Sequence, residues 1–320
     1  MNEHLHIDLD AEIKNVSESI RAALRNKLHR RGLVVAISGG IDSSVATALS
    51  VKALGHRKVF GVLMPETESS SESLDRGTQL AEHLGIKYIV KNIGDTLRAI
   101  GCYEERDAAI RSVFPDYGEG WKNKIAIAGG LEGGINYFKL VVQDPDGTTD
   151  EKALPLTEYL TIVAATNYKQ RVRKSIEYFH ADRLNYAVVG TPNRLEYDQG
   201  FFVKNGDGSA DVKPIAHLYK SQVYALARHM GLPDEICGAE PTTDTYTLKQ
   251  GQDEFYFALP YQQMDVALYF YNHGSAACDL AREIGISEEV ATNVYHDIET
   301  KRRTTEYQHL RPILMQEIVL

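Results

Sequence analysis

Short, continuously apolar runs recur along this sequence between longer amphipathic stretches, and few architectures accept that rhythm. The runs are LVVAIS at 33–38, VFGVLM at 59–64, KYIVKNI at 87–93 and YAVVGT at 186–191. A run without polar alternation reads as a strand covered on both faces. Four other stretches repeat apolar residues at helical spacing: VATALSVKALG closed by Gly55, ESLDRGTQLAEHLG ending at Gly85, TNYKQRVRKSIEYFHADRLN, and KSQVYALARHMG. Strands alternating with helices predict an α/β fold built on a doubly wound parallel sheet with right-handed crossovers. Ile13, Val16, Ile20, Ala23, Leu24 and Leu28 predict a further amphipathic helix over about 10–31, ahead of the first strand.

Two segments break the rhythm. Residues 101–157 carry scattered turn signals (FPDYGEG, AGGLEGG, DPDGTTD) around a strand-like NYFKLVVQ, and are expected to form an inserted lobe or lid. Their alternative is a disordered surface excursion; Trp121, Tyr137, Phe138 and the Leu140–Val142 run argue for order. The stretch from about 243 to 263 is polar and aromatic by turns and reads as a loop, followed by shorter helices to the C-terminus.

Composition removes several classes. No run approaches the ~18 apolar residues of a membrane span, and the N-terminal MNEHLHIDLDAEIK is too polar for a signal peptide. A soluble, cytoplasmic protein with no membrane partner is expected. Cys102, Cys237 and Cys278 are dispersed and odd in number, which argues against a disulfide framework or a cysteine zinc site. With 35 basic against 44 acidic side chains, broad nucleic-acid binding is not expected, because that mode neutralises phosphates with Lys and Arg.

Any phosphate chemistry must therefore be local, and S-G-G-I-D-S-S at 38–44 supplies the place. It lies where a strand turns into a helix. Gly39 and Gly40 let the backbone turn tightly and present N–H groups to an anion. The helix behind adds its positive end, and Ser38, Ser43 and Ser44 add hydroxyls. Asp42 would repel phosphates unless it holds a cation, which points to Mg2+. Gly-Gly alone is an ordinary turn and Asp42-Ser43 an ordinary helix cap. The full heptad between a buried strand and a helix favours the phosphate site. Neither a Walker loop nor G-x-G-x-x-G is present at this position.

The heptad resembles the PP-loop of ATP pyrophosphatases, which cleave ATP between the α and β phosphates and adenylate a substrate. The block from Gly190 to Pro233, with G-T, a Glu five residues on, G-F-F-x-K-x-G-D-G-x-x-D and Y-K-x-Q-V, is similar to the signature of NAD synthetases. EPTTD at 240–244, LMPETESSSESLDRGTQLAEHLGI and TKRR at 300–303 resemble further elements of that family. The likeness covers most of the chain outside 101–157. It implies a Rossmann-like, adenine nucleotide alpha hydrolase-like core, here read as a single domain over 1–320 with a helical C-terminal region.

Carried across, the resemblance implies ATP contacts from Ser38, Gly39, Gly40, Ile41, Asp42, Ser43, Ser44, Val45, Met64, Thr191, Lys220 and Thr242. Asp42 and Glu196 would hold Mg2+, with Asp42 and Lys220 serving catalysis. Arg171, Lys204, Asp211 and Lys301 would bind nicotinic acid adenine dinucleotide. Arg171 and Arg173, two apart on a helix, face different ways, so that one serves the ligand and the other the fold. The implied reaction is attack of the substrate carboxylate on the α-phosphorus of ATP, then displacement of AMP from the acyl adenylate by ammonia to give NAD. No room is seen for a nitrilase-like glutaminase domain, so free ammonia or a separate glutaminase partner is implied, as is a homodimer.

Departures concentrate at the acceptor. Val163 stands where NAD synthetases have an aromatic residue suited to stack on the nicotinate end, Thr300 replaces a common His, and the 101–157 lobe is longer than usual. An amide-forming ligase of the same family acting on another carboxylate is the alternative these departures leave.

Overall fold

In the computed structural model the described residues are 2–128, 137–239, 246–248, 251, 256–257, 259–316 and 318. Strands β1 (Leu33–Ala36), β2 (Val59–Leu63), β3 (Lys87–Val90) and β7 (Ala187–Val189) form one parallel sheet in the order β3-β2-β1-β7. Leu33 pairs with Val59 on one side and Ala187 on the other, so β1 is central.

Side chains alternate across this sheet. Leu33, Val35, Val59, Leu63, Ala187 and Val189 pack under helices α1 (Leu9–Ala23), α2 (Ile41–Leu54) and α8 (Lys220–His229). Val34, Val62 and Val188 face the other way, against α4 (Gly94–Ala99) and the C-terminal half of α6 (Leu156–Leu184). Helices on both faces explain why these strands have no polar register. The fold class expected from the sequence is therefore observed. Helix α3 (Ser71–His83) links β2 to β3, capped by Ser70, whose hydroxyl accepts from Ser73 N.

Several boundaries differ from the sequence expectation. The first helix ends in a wide π-type turn, Leu24–Leu28, with His29 left-handed at φ 52°, three residues short of the end expected near position 31. Helix α2 starts at Ile41 because extended Gly40 is its N-cap, so IDSS is its first turn and not loop. Helix α6 starts ten residues before Thr166 and runs for 29 residues. At ~1.5 Å per residue it is about 43 Å long, far longer than any strand beneath it.

The lobe is ordered through its described residues. It comprises α5 (Cys102–Val113) and an antiparallel sheet of β4 (Lys122–Ala128), β5 (Tyr137–Gln143) and β6 (Thr149–Ala153). Ile110, Phe114, Ile125, Leu140, Val142 and Ile162 form its core. Tyr246, from the stretch expected to be a loop, is buried in the same core. Its neighbours are tied to β4: Asn123 N donates to Thr247 Oγ1 at 2.6 Å, and Leu248 N to Asn123 O at 3.1 Å.

The C-terminal region is α10 (Tyr261–Asn272), α11 (Ala277–Ile284) and α12 (Glu288–His309), packed around Met264, Leu268, Leu280, Val294 and Ile298. The last helix has 22 residues, so these helices are not uniformly short. Two short helices complete the order, α7 (Arg194–Gln199) and α9 (Asp234–Cys237). No helix among the described residues is long and apolar enough to cross a membrane.

Candidate functional site

A cleft of about 1030 Å³ opens over the carboxyl ends of the sheet strands, walled by α6, the lobe and α12. Ligands of open α/β sheets bind at this edge. The S-G-G-I-D-S-S heptad forms its floor. Gly39 adopts φ 79°, and a Cβ there would fall 2.2 Å from Ser73 O, so the turn passes hard against the start of α3. The hydroxyls of Ser38 and Ser43 lie 3.0 Å apart, Ser38 Oγ accepts from Gly40 N, and Ser43 and Ser44 donate back to Gly40 O. Arg76 Nε donates to Gly39 O at 3.3 Å. Ser38 through Ser43 line the cleft, whereas Ser44 and Val45 are fully buried behind it.

Lys220, the first residue of α8, is 2% exposed and its ammonium bonds the Asp42 carboxylate. Burial opposes its charge, but the carboxylates of Asp42 and Glu196 outweigh burial and hold its pKa above the usual lysine range. The α8 N-terminus is fixed from α10: Lys220 N and Ser221 N donate to Asp265, whose own pKa is pushed up to about 6 chiefly by burial.

Asn193, which sequence reasoning passed over, donates from Nδ2 to Asp42 Oδ1 at 3.0 Å. It also caps α7 in a reciprocal box with Glu196: Glu196 N donates to Asn193 Oδ1 at 3.2 Å and Asn193 N to Glu196 Oε2 at 3.1 Å. The N-x-x-E pattern was readable as a helix start. Its link to Asp42 joins residues 151 positions apart and was not. Thr191 and Glu196 line the cleft with Asp42 and Lys220.

The expected acceptor residues divide. Arg171 Nε donates to Lys204 O at 3.4 Å, and Lys204 Nζ donates to Tyr307 O and Leu310 O at 2.7 and 3.1 Å. Lys301 is half-buried against Tyr256, with Asp297 accepting from its Nζ at 2.6 Å; loss of hydration there holds its pKa below the ordinary lysine value. These three line the cleft. Asp211 is not among the lining residues. Its Oδ2 accepts from Val188 N at 2.7 Å, bracing β7. Thr242 lies outside the described residues. Arg173 Nε donates to Met64 O at 3.4 Å, at the end of β2, and both residues line the cleft.

Helix α12 is pinned in place by Arg302, whose guanidinium meets Asp198 of α7 at 2.6 and 2.8 Å and Asn272 of α10 at 2.6 Å. Gly200, at φ 69°, ends α7 so close to Thr305 that a Cβ would lie 2.3 Å from it.

Val163 lines the cleft as expected from sequence, but it is not alone there. One turn before it Tyr159 stacks on Phe138 of β5, with ring centroids 4.1 Å apart and planes at 14°. Both rings line the cleft, as does Tyr137.

Comparison with known proteins gives a consistent result. The NAD synthase family model matches residues 12–112 and 123–309. The chain is 56% identical over 315 residues to an NH(3)-dependent NAD(+) synthetase of Rhizobium meliloti, covering 98% of this chain and 94% of that protein. A protein of the same name from Mesorhizobium japonicum is 53% identical, with 98% and 99% covered. Among solved structures, NMN synthetase from Francisella tularensis superposes with a TM-score of 0.66 at 19% identity, covering 97% of this chain and 99% of that one. The NH3-dependent NAD synthetase from Campylobacter jejuni gives 0.64 at 20% identity, with 97% and 100% covered. At those identities the structures speak for the fold alone.

Proposed function

The chain belongs to the NAD synthase family, and from that membership we propose ATP-dependent amidation of nicotinic acid adenine dinucleotide by ammonia, forming NAD, AMP and pyrophosphate. The observation that carries the reading is the Asp42–Lys220–Asn193 constellation beside the glycine turn, at the sheet edge where a phosphate chain would lie.

The chain's own groups account for each step. Backbone N–H groups at the α2 N-terminus, behind the glycine turn, face the ATP phosphates. The nicotinate carboxylate attacks the α-phosphorus, the bond to the bridging oxygen breaks, and pyrophosphate departs. Lys220, held protonated, offsets the charge that builds on the leaving group. Ammonia then attacks the acyl carbon, AMP leaves, and the nitrogen sheds a proton. No nucleophilic side chain takes part.

Asp42 and Glu196 line the same cleft, and would hold Mg2+ as two carboxylates acting together with substrate phosphates and water. When bound, the ion supplies Lewis-acid neutralisation of the pyrophosphate oxygens. Arg171, Lys204 and Lys301 supply cations for the acceptor.

A homodimer is part of this proposal. Leu156, Leu160, Tyr168 and Phe179 of α6 are large apolar or aromatic side chains left exposed, and they are the surface this helix offers to a second copy of the chain. The test combines ATP, Mg2+, ammonium and nicotinic acid adenine dinucleotide, scoring AMP and NAD. AMP formed only with some other acid would transfer the reading to a different carboxylate. A monomer in sedimentation would remove the dimer.

A further inference from the structure

Among the described residues two cations bond to the phosphate turn, and the reaction derived above uses one of them. Lys220 comes from α8 and meets Asp42. Arg76 comes from α3 and meets Gly39: its Nε donates to Gly39 O at 3.3 Å, and an Nη donates to Ser73 Oγ at 3.4 Å. Both cations line the cleft together with Ser38 through Ser43. No motif points to Arg76, because its approach to the turn joins positions 37 apart.

The two charges are compensated differently. Lys220 is 2% exposed and bonded directly to a carboxylate. Arg76 has Glu72 as its ion-pair partner at 3.6 Å, four residues earlier on the same helix, and that carboxylate is 81% exposed. Water screens such a pair, so most of the guanidinium charge stays available to a ligand. The two hydrogen bonds go to neutral acceptors, a carbonyl and a hydroxyl, and occupy two of the five N–H donors of the group. They fix the plane of the guanidinium against the turn. A planar fork held in place, with donors to spare, is suited to bidentate binding of phosphate oxygens.

We propose that Arg76 is a further phosphate-binding residue, gripping the β and γ phosphates of ATP, the pair that leaves as pyrophosphate. The inference rests on the functional reading above. The α-phosphorus has to point toward the acceptor, whose cations Arg171, Lys204 and Lys301 belong to other parts of the chain than α3. The β and γ phosphates are then left against the turn, where Arg76 is tied. Negative charge builds on that leaving group as the bond to the α-phosphorus breaks, so a guanidinium contacting its oxygens lowers the barrier as well as binding ATP.

The test compares Arg76→Met, which keeps the stem and removes the charge, with Arg76→Lys, which keeps the charge and removes the fork. Calorimetry with Mg2+ present gives Kd for pyrophosphate and for AMP, and kinetics give KM for ATP and for the acceptor. Arg76→Met should weaken pyrophosphate about tenfold or more, the loss of a hydrogen bond between charged groups, and raise the ATP KM. AMP affinity and the acceptor KM should stay within twofold. Arg76→Lys should fall between Arg76→Met and the unaltered protein for pyrophosphate. A merely structural role, holding the turn through Gly39 O, would weaken AMP and pyrophosphate alike. Pyrophosphate affinity within twofold in Arg76→Met, AMP affinity falling in step with it, or a Lys variant no tighter than the Met variant overturns the proposal. Binding is read without turnover, so an unaltered protein that binds pyrophosphate yet makes no NAD from this acceptor would overturn the functional reading and leave the role of Arg76 to be decided by the same affinities.

Discussion

Replacing Asp42 by Asn keeps the shape of the side chain and its bond from Asn193 but removes the charge that Lys220 faces. Lys220 is 2% exposed and Asp42 17% exposed by side chain, so the ammonium would be left inside with Glu196 and Asp265 as its remaining acidic neighbours. Breaking a buried pair by removing one partner costs ~3–5 kcal/mol; Glu196 places the expected loss at the lower end, about 3 kcal/mol at pH 7. The pH dependence has a definite sign. In the unaltered protein the folded pKa of Lys220 lies above the ordinary 10.5, so its contribution is complete below pH 10.5 and fades as pH rises through the folded value. In the variant burial dominates and the folded pKa drops below 10.5, so the unfolded chain binds more protons and stability rises with pH. Urea unfolding at pH 7 and at about pH 9.5 should show the deficit shrinking at the higher pH. Asp42→Asn with Lys220→Met removes both charges and should recover at least half of the loss, while single and double variants alike lose turnover ~100-fold or more. A deficit under about 1 kcal/mol, a deficit independent of pH, or a double variant no more stable than the single would refute this account.

Three further outcomes follow from the same geometry. Gly39→Ala places a methyl 2.2 Å from Ser73 O at a left-handed position, so ATP affinity measured by calorimetry should fall at least tenfold; unchanged affinity would remove the turn from the nucleotide site. Asn193→Ala deletes the α7 cap and the Asp42 contact, and should cost ~1 kcal/mol of stability together with a drop in kcat larger than that loss explains. Glu196→Gln should lower turnover and shift its Mg2+ titration to higher concentration, and a wild-type magnesium titration in that variant would withdraw Glu196 as a ligand.

The sheet and the phosphate turn were legible because both depend on neighbours in sequence: four apolar runs and one heptad. What escaped depends on distance. Helix α5 was hidden because its buried face is Cys102, Arg106 and Ile110; Arg106 interrupts the apolar stripe and is accepted inside only through Glu68 and Asp107. Burial opposes the Glu68 charge, yet Lys169 and Arg106 outweigh it and hold the carboxyl below its usual range. The early start of α6 was masked by turn signals just before it. Asp211 carries the family pattern, but here its carboxylate braces β7, a bond between positions 23 apart that spacing does not disclose. Thr242 falls outside the described residues, and Asn193 needed the fold to bring it to Asp42.

Helix α6 belongs at once to the sheet, through Val172, Ile176 and Ala181, and to the lobe, through Ile162 and Tyr159. Lobe and sheet therefore share one continuous hydrogen-bonded rod instead of meeting across a linker. Opening the cleft by swinging the lobe would require bending that rod at its middle turns, where Lys169 and Lys174 are buried in ion pairs. The amides of those turns should exchange only with global unfolding, which makes the depth of the cleft, and hence the length of ligand it measures, a fixed property of the backbone.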